Sequence, residues 1–173
     1  MASTLKVNTI QHTGGTTGLN ITSGGVVTQP TKPMFRVKQS TDQSIANASE
    51  VTVEFNDKTS TGMFDIGGYF NTSNYRYIPL VAGYYWFGAT VTMRSAAPDY
   101  VIINIRKNDV DEFRNVGMES NAANAHVPVH TSGLIYMNGS SDYVDVSCQH
   151  NKGSASNTNS GKEFSYFTGY LIG

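Results

Sequence analysis

Two histidines four residues apart, His126 and His130, are the closest approach in this sequence to a clustered site for metal binding or proton transfer. Side chains four positions apart on a β-strand point to the same face, and neutral imidazole is a common metal ligand. The other two histidines, His12 and His150, lie far away in the sequence. We therefore expect His126 and His130 to form a solvated or hydrogen-bonded surface pair. A metal or proton role would need several copies of the chain to bring them together on an axis.

Three carboxylates, Asp109, Asp111 and Glu112, crowd one predicted turn and could supply oxygen ligands to calcium. Calcium takes about six to eight oxygens, and the spacing here matches no calcium loop. We therefore expect a charged, solubilising hairpin tip at this turn, and no requirement for a metal.

The patterns that mark an enzyme active site are missing from the sequence. It contains no Gly-x-Ser-x-Gly, no phosphate-binding glycine loop and no paired carboxylates in a recognisable cleft motif. Cys148 is the only cysteine, which excludes a disulfide framework and a clustered thiolate metal site. We predict that the protein is not an enzyme and needs no cofactor.

The charge balance limits the partners. The 173 residues carry a formal net charge of −1 and only 14% are charged, so the chain lacks the basic stripe that attracts nucleic acid or an anionic membrane. No stretch approaches the roughly 18 apolar residues of a membrane span, and the N-terminus does not resemble a secretion signal. We expect neither nucleic acid nor membrane as a partner.

The elements that would position these residues fall into two parts, separated by a segment with two prolines, Pro30 and Pro33. Residues 1–33 contain short apolar pieces between glycine pairs, and the only charged residues there are Lys6 and Lys32. Each piece is too short to bury a face of its own. We expect an extended attachment arm whose strands need neighbours from another chain or another protein. Its candidate anchoring residues are Leu5, Val7, Ile10, Leu19, Ile21, Val26 and Val27.

Residues 34–173 alternate apolar and polar residues in short runs bounded by Asn, Asp and Gly. Runs spaced by about 8 to 12 residues are typical of a β-sandwich or barrel. The Ser-, Asn- and Gly-rich segment 151–162 is predicted to be a mobile surface loop. The predicted strands are 35–38, 50–55, 64–70, 83–94, 100–106, 113–118, 130–137, 142–150 and 164–172.

Aromatic residues concentrate in two of these strands. Alternation sends Tyr85 and Phe87 to one face of strand 83–94, and Tyr84 and Trp86 to the other. One face fills the sandwich, and the other would be an exposed aromatic patch, which soluble monomers rarely carry. We predict that this second face is a trimer interface, the alternative being a second core layer under a loop. Further core or interface candidates, from the last strand, are Phe167 and Tyr170.

Three stretches resemble the globular head of complement C1q and related proteins. They are Gly83-Tyr84-Tyr85-Trp86-Phe87, then residues 132–137 followed by 142–146, and finally residues 164–172, which are similar to the terminal Phe-Ser-Gly-x-Leu strand. The resemblance implies an all-β fold, a C1q/TNF-like jelly-roll sandwich over residues 34–173, which assembles as a homotrimer.

The arm has a resemblance of its own. Residues 3–11 followed by 13–19 look like the opening of virion structural proteins from tailed phages, especially those of cyanobacteria. There the segment resembles a particle-attachment element. This implies a bacteriophage protein located in the virion and assembled in the host cytoplasm.

Two functions follow as expectations. The first is a trimeric capsid decoration or cement protein whose arm binds the major capsid protein or another virion protein. The alternative is a short tail-fibre or receptor-binding tip that recognises the host surface, with a glycan as a possible ligand. Its candidate outer loops are 71–76, 95–99, 120–125 and 151–162.

Overall fold

The computed structural model describes residues 5–94, 100–118 and 126–173. Within these ranges every regular element is a β-strand. The described residues therefore include no long apolar helix of the kind that crosses a membrane. The predicted all-β class is therefore confirmed. The chain divides into two compact units, Met1–Lys32 and Pro33–Gly173, called here the arm and the head. Particle attachment by the arm and trimerisation by the head stay predictions.

The arm is a three-stranded antiparallel sheet of β1 (Thr9–Gln11), β2 (Thr17–Ile21) and β3 (Val27–Thr28), in that order. Two similar turns join the strands, and each has a glycine in the left-handed region, Gly15 at φ 85° and Gly25 at φ 79°. The strands thus find main-chain partners within the chain. The sequence interpretation, which looked to another molecule for those partners, missed this pairing.

The head is a sandwich of two antiparallel sheets, joined by short strand pairs at its margins. Its strands are β4 (Met34–Lys38), β5 (Ser44–Ile45), β6 (Val51–Thr52), β7 (Phe64–Ile66), β8 (Phe70–Asn71), β9 (Arg76–Tyr77), β10 (Gly83–Arg94), β11 (Val101–Lys107), β12 (Val110–Gly117), β13 (His126–Met137), β14 (Val144–His150), β15 (Ser156–Asn157) and β16 (Tyr166–Leu171).

The two sheets differ in their strand order. The five-stranded sheet runs β13-β10-β16-β4-β7, and the other runs β12-β11-β14-β9-β8, with β6 also paired to β14. Strands β5 and β15 form a separate two-stranded ribbon. Most neighbours are therefore distant in sequence, as a jelly roll requires.

A cluster of aromatic rings occupies part of the space between the sheets. Phe35 stacks on Tyr77 with ring centroids 4.2 Å apart and meets Phe167 edge-on at 4.8 Å. Gly169 leaves room for the rings of Phe35 and Phe87, because a Cβ there would lie 2.8 Å from the first and 2.5 Å from the second. Aromatic rings thus form one part of the core, and the remainder consists mainly of buried valine, isoleucine and methionine side chains.

One predicted strand, residues 64–70, is wrong as a single element. Gly67 and Gly68 have φ values of 101° and 72°, a conformation that breaks a strand. The chain therefore leaves the five-stranded sheet after β7 and enters the other sheet at β8. The short strands β5, β9 and β15 were not predicted.

The prediction that residues 151–162 form a mobile surface loop is wrong in part, since residues 153–155 are exposed but polar residues after them are buried. Ser156, Thr158 and Asn159 are buried. The main-chain N–H of Thr158 donates to the carbonyl of Gln43 at 2.9 Å. The main-chain N–H of Asn159 donates to the carbonyl of Thr92 at 2.7 Å. Polar residues can be buried here because hydrogen bonds satisfy them. Two other candidate outer loops, 95–99 and 120–125, lie outside the described residues.

Replacing Thr158 by Val should destabilise the head. The Thr158 hydroxyl accepts a hydrogen bond from the main-chain N–H of Gln43 at 2.9 Å, and valine would leave that part-buried N–H without this partner. We expect a loss of about 1–3 kcal/mol in the free energy of unfolding, measured by urea denaturation. The control is Ser154→Ala, an exposed position in the same segment. Equal stability of the two variants would contradict the burial of this segment.

Candidate functional site

The candidate site is the outer face of the five-stranded sheet, the face that points away from the sandwich core. Along β10, Tyr85 and Phe87 are fully buried, whereas Tyr84 is 57% exposed and Trp86 is half-buried. Because successive side chains of a strand point to opposite faces, one strand supplies both the core and this outer face.

An apolar row crosses all five strands on this face. The register pairs Trp86 with Leu134 on one side and with Tyr170 on the other. Tyr170 pairs with Met34, and Met34 pairs with Ile66. Side chains that are paired across strands share a face of the sheet, so the five form a continuous band.

A second aromatic row lies beside the first. Tyr84 pairs with Tyr136, and their rings meet edge-on with centroids 5.4 Å apart. Tyr136 is 49% exposed and the adjoining Ile172 is 47% exposed. The two rows together make an exposed apolar patch of the kind that marks an interaction surface.

A glycine sets the shape of this patch. Trp86 folds over Gly88, where an added Cβ would lie 2.5 Å from the indole. The indole also contacts the ring of Tyr170, with centroids 5.6 Å apart. The tryptophan therefore lies flat against the sheet, and the patch offers a broad platform.

The next rows along the strands are largely polar, although Phe64 lies beside Arg36. Arg36 lies over the ring of Tyr166 at 5.0 Å and donates to the carbonyl of Lys162 at 3.2 Å. Lys38 is paired with Asp57 at 3.0 Å. The outer face therefore changes from aromatic at one end to largely polar at the other.

Asp57 is held in its ionised form. Burial opposes ionisation, but hydrogen bonds from Ser60 and Thr59 and the contact with Lys38 outweigh it, so the pKa of Asp57 lies well below its usual value. Its negative charge thus persists in mild acid and neutralises Lys38 at the margin of the face.

The two neighbouring histidines lie at this polar end and have separate partners. His130 Nδ1 is 3.1 Å from the Thr90 hydroxyl. His126 Nδ1 is 3.3 Å from the Asn159 amide nitrogen, and its ring stacks on Phe164. Both side chains are exposed. The structure thus places them as hydrogen-bonded surface residues on one face of β13.

The acidic tip is a two-residue hairpin turn between β11 and β12. Asn108 and Asp109 have φ values of 51° and 64°, as this kind of tight turn requires. Asp109 accepts hydrogen bonds from Tyr143 at 2.6 Å and from Arg76 at 3.1 Å. The hydrogen bond from Tyr143, with the help of Arg76, lowers the pKa of Asp109.

The other two carboxylates predicted for this turn, Asp111 and Glu112, lie instead in strand β12, because the turn needs only two residues. Both are exposed. Across the part of the chain that the structure describes, no three His, Cys, Asp or Glu side chains are grouped so that they could hold a metal ion.

Sequence reasoning missed a buried ionic network on the outer face of the second sheet. Asp145 is fully buried and accepts from Arg106 Nε at 2.8 Å. Arg106 also donates to Thr52 at 2.9 Å. A signal was present in the sequence, because polar residues alternate with apolar ones in both β11 and β14. These contacts join three strands, and their role is structural.

The remaining candidates divide by burial. Phe167 lies in the core with Tyr85 and Phe87, and Tyr170, 43% exposed, lies on the outer face. Cys148 is buried, which raises the pKa of its thiol to about 12. In the arm, Leu5, Ile10, Val26 and Val27 are exposed, and Val7, Leu19 and Ile21 are half-buried.

Replacing Gly88 by Val should change the environment of Trp86, the only tryptophan. The new side chain would occupy the space of the indole, which must then swing away from the sheet. Because Gly88 is buried beneath the indole, we expect a red shift of the tryptophan emission as the displaced ring becomes more exposed to water. Thr90→Val, two residues along the same face, is the control. An unchanged emission spectrum in Gly88→Val would contradict the flat placement of the indole.

Comparison with known proteins identifies the fold. No family model matches the chain, and no curated protein is similar to it in sequence. The globular domain of zebrafish complement 1qA protein superposes with a TM-score of 0.57 at 17% identity, covering 82% of this chain and 98% of that one. Murine APRIL at pH 5.0 gives 0.58 at 9% identity, covering 82% and 99%, and murine APRIL at pH 8.5 gives 0.59 at 8%, covering 81% and 98%. The head therefore has the C1q/TNF-like jelly-roll fold that its sequence resembles.

Proposed function

We propose that this protein is a virion structural protein of a tailed phage, a homotrimeric capsid decoration or cement protein held on the particle by its arm. The observation that carries the self-assembly part is the uncovered aromatic patch on the five-stranded sheet. The C1q/TNF resemblance implies that three copies meet through this face.

The patch is large enough to drive assembly. Fully burying one large apolar side chain is worth about 1.5–3 kcal/mol. Each copy would bury six that are now wholly or partly exposed, namely Tyr84, Trp86, Leu134, Tyr136, Tyr170 and Ile172. Association costs about 4–15 kcal/mol in lost translational and rotational freedom. The free energy gained by burying these six side chains is thus large enough to offset the cost of association.

The assignment to a phage particle rests on the arm. Residues 3–19 resemble the opening of tailed-phage virion proteins, and exposed apolar side chains such as Leu5 and Val26 could contact the major capsid protein or another virion protein. Three arms acting together can raise avidity about 10² to 10⁴-fold over a single arm. Weak individual contacts would therefore suffice to hold a trimer on the particle.

A groove in the head favours a second candidate, a short tail-fibre or receptor-binding tip. The groove has a volume of about 420 Å³ and is lined by Lys58, Gly68, Tyr69, Phe70, Asn71, Thr72, Ile78 and Leu80. An aromatic ring beside amide and hydroxyl groups is suited to a host-surface saccharide. The lining also includes the apolar side chains of Ile78 and Leu80, which offer a saccharide no hydrogen bonds.

Purified protein should be a trimer in solution, and Leu134→Asp should dissociate it. Aspartate in the apolar row would bury a charge at the interface, which is strongly unfavourable. Light scattering measures the mass, and circular dichroism checks that the head stays folded. The control is Val110→Asp, an exposed apolar position, 64% accessible, on an edge strand of the other sheet. A wild-type monomer at micromolar concentration would overturn the proposal.

A phage that lacks this gene should adsorb normally but lose DNA or infectivity sooner on heating. The full-length protein supplied in trans should restore heat resistance. A chain without residues 2–30 should fail to do so, because the head would still trimerise but could not attach. Adsorption rates and survival after heating are the measurements.

Two results of this experiment would change the assignment. An adsorption defect with unchanged heat resistance would move the protein to the tail and support the receptor-binding alternative. Normal occupancy of particles by the chain without residues 2–30 would show that the arm is not the anchor.

A further inference from the structure

The arm sheet has one apolar face and one polar face, although it is very small. Ile10 pairs with Leu19, and Ile21 pairs with Val27. Leu19 and Ile21 are two residues apart on β2, so all four side chains point the same way. The opposite face carries Thr9, Asn20 and Thr28, which are paired in a row. The sequence showed alternation within each short piece, but not the strand pairing that brings the apolar residues onto one face.

The apolar face is uncovered within the arm unit. Ile10 is 49% exposed and Val27 is 58% exposed, while Leu19 and Ile21 are only half-buried. Small sheets need a packed hydrophobic face to be stable in water. A three-stranded sheet with a bare apolar face therefore needs a second layer.

Identical copies of the arm could form that layer, because their facing strands would bring no like charges together. The described strands β1, β2 and β3 contain no charged residue, and the arm's two lysines, Lys6 and Lys32, lie outside them. Three such faces can approach one another without bringing like charges together. A strongly charged partner surface, by contrast, would find no complementary group on this face.

The direct link between arm and head would keep the three arms of a trimer close together. Lys32 is followed directly by Pro33 and then by Met34, which belongs to the apolar row that crosses the head. In a trimer that buries this row, three arms are tethered to one interface. Such tethering gives a high effective concentration, so small contact areas are enough.

We propose that the apolar faces of three arms pack against one another, so that Ile10, Leu19, Ile21 and Val27 form a second, separate core of the trimer. This inference rests on the proposed homotrimer. It reassigns these four residues from particle attachment to contact between copies. The attachment role is left to Leu5, Val26 and the free edges of β1 and β3.

Single cysteines in the full-length chain test the packing. Leu19→Cys, on the apolar face, should be cross-linked between copies by a short bismaleimide, giving covalent dimers and trimers on a denaturing gel. Asn20→Cys, on the opposite face of the same strand, should remain monomeric on the gel. The wild-type chain reports the background, which should be low because Cys148 is fully buried.

A pair of charge variants provides a second measurement that does not depend on cross-linking chemistry. Leu19→Asp should speed amide hydrogen exchange in β1 to β3 roughly tenfold or more, because it opens the second core. Asn20→Asp should leave exchange close to that of the wild type. Light scattering should show that both variants are still trimers, held by the head.

The outcomes separate this inference from the proposed function. If the protein is a trimer but Leu19→Cys and Asn20→Cys cross-link equally or not at all, the arm faces do not pack together, and the homotrimer still stands. If Leu19→Asp exchanges no faster than Asn20→Asp, the inference is likewise overturned. A monomeric wild type overturns both proposals.

Discussion

The architecture of the head depends on the pairing of β10. This strand is paired with β13 over all twelve of its residues and with β16 over six. Each side chain of β10 is therefore committed to one side of the sheet. Tyr85 and Phe87 must enter the sandwich, and Tyr84 and Trp86 must leave it. A shift of one residue in register would exchange these two sets. The core and the outer patch are thus consequences of the same ladder.

With a single cysteine, the chain has no internal disulfide to fix its loops. Polar contacts hold the loops and the sheet margins instead. Asp57 ties the end of β4 to a turn through Lys38 and Ser60. Asp145 ties β14 to β11 through Arg106. Breaking a buried pair by removing one partner is costly, since the remaining charge is left uncompensated. These contacts fix the positions of segments that have few apolar residues of their own.

In both the arm and the head, an apolar sheet face must be covered by a second layer. In the head, two large sheets cover each other and leave one additional apolar patch. In the arm, a single small sheet has no second layer within its own unit, and we propose that other copies of the arm supply one. Both surfaces are satisfied if three chains assemble, and a trimer would also present three attachment segments together. The proposed role on a particle surface uses this multiplicity.

The sequence by itself determined the features that depend on neighbours along the chain. The bounds of strand 83–94 agree with β10, and the alternation along it gave the two aromatic faces correctly. The turn at Asn108 and Asp109 could be predicted for the same reason, since turn chemistry is local. The three stretches that resemble C1q also led to the right fold.

Only the tertiary structure decided the features that depend on residues distant in sequence. The row from Leu134 to Ile66 draws one residue from each of five strands. Thr158 is buried because Gln43, far away in the chain, accepts and donates its hydrogen bonds. The split at Gly67 and Gly68 reflects a passage between two sheets, whose positions no local pattern contains. Strand register and burial arise from pairing between separated segments, and a periodic pattern read along one segment does not specify its partners.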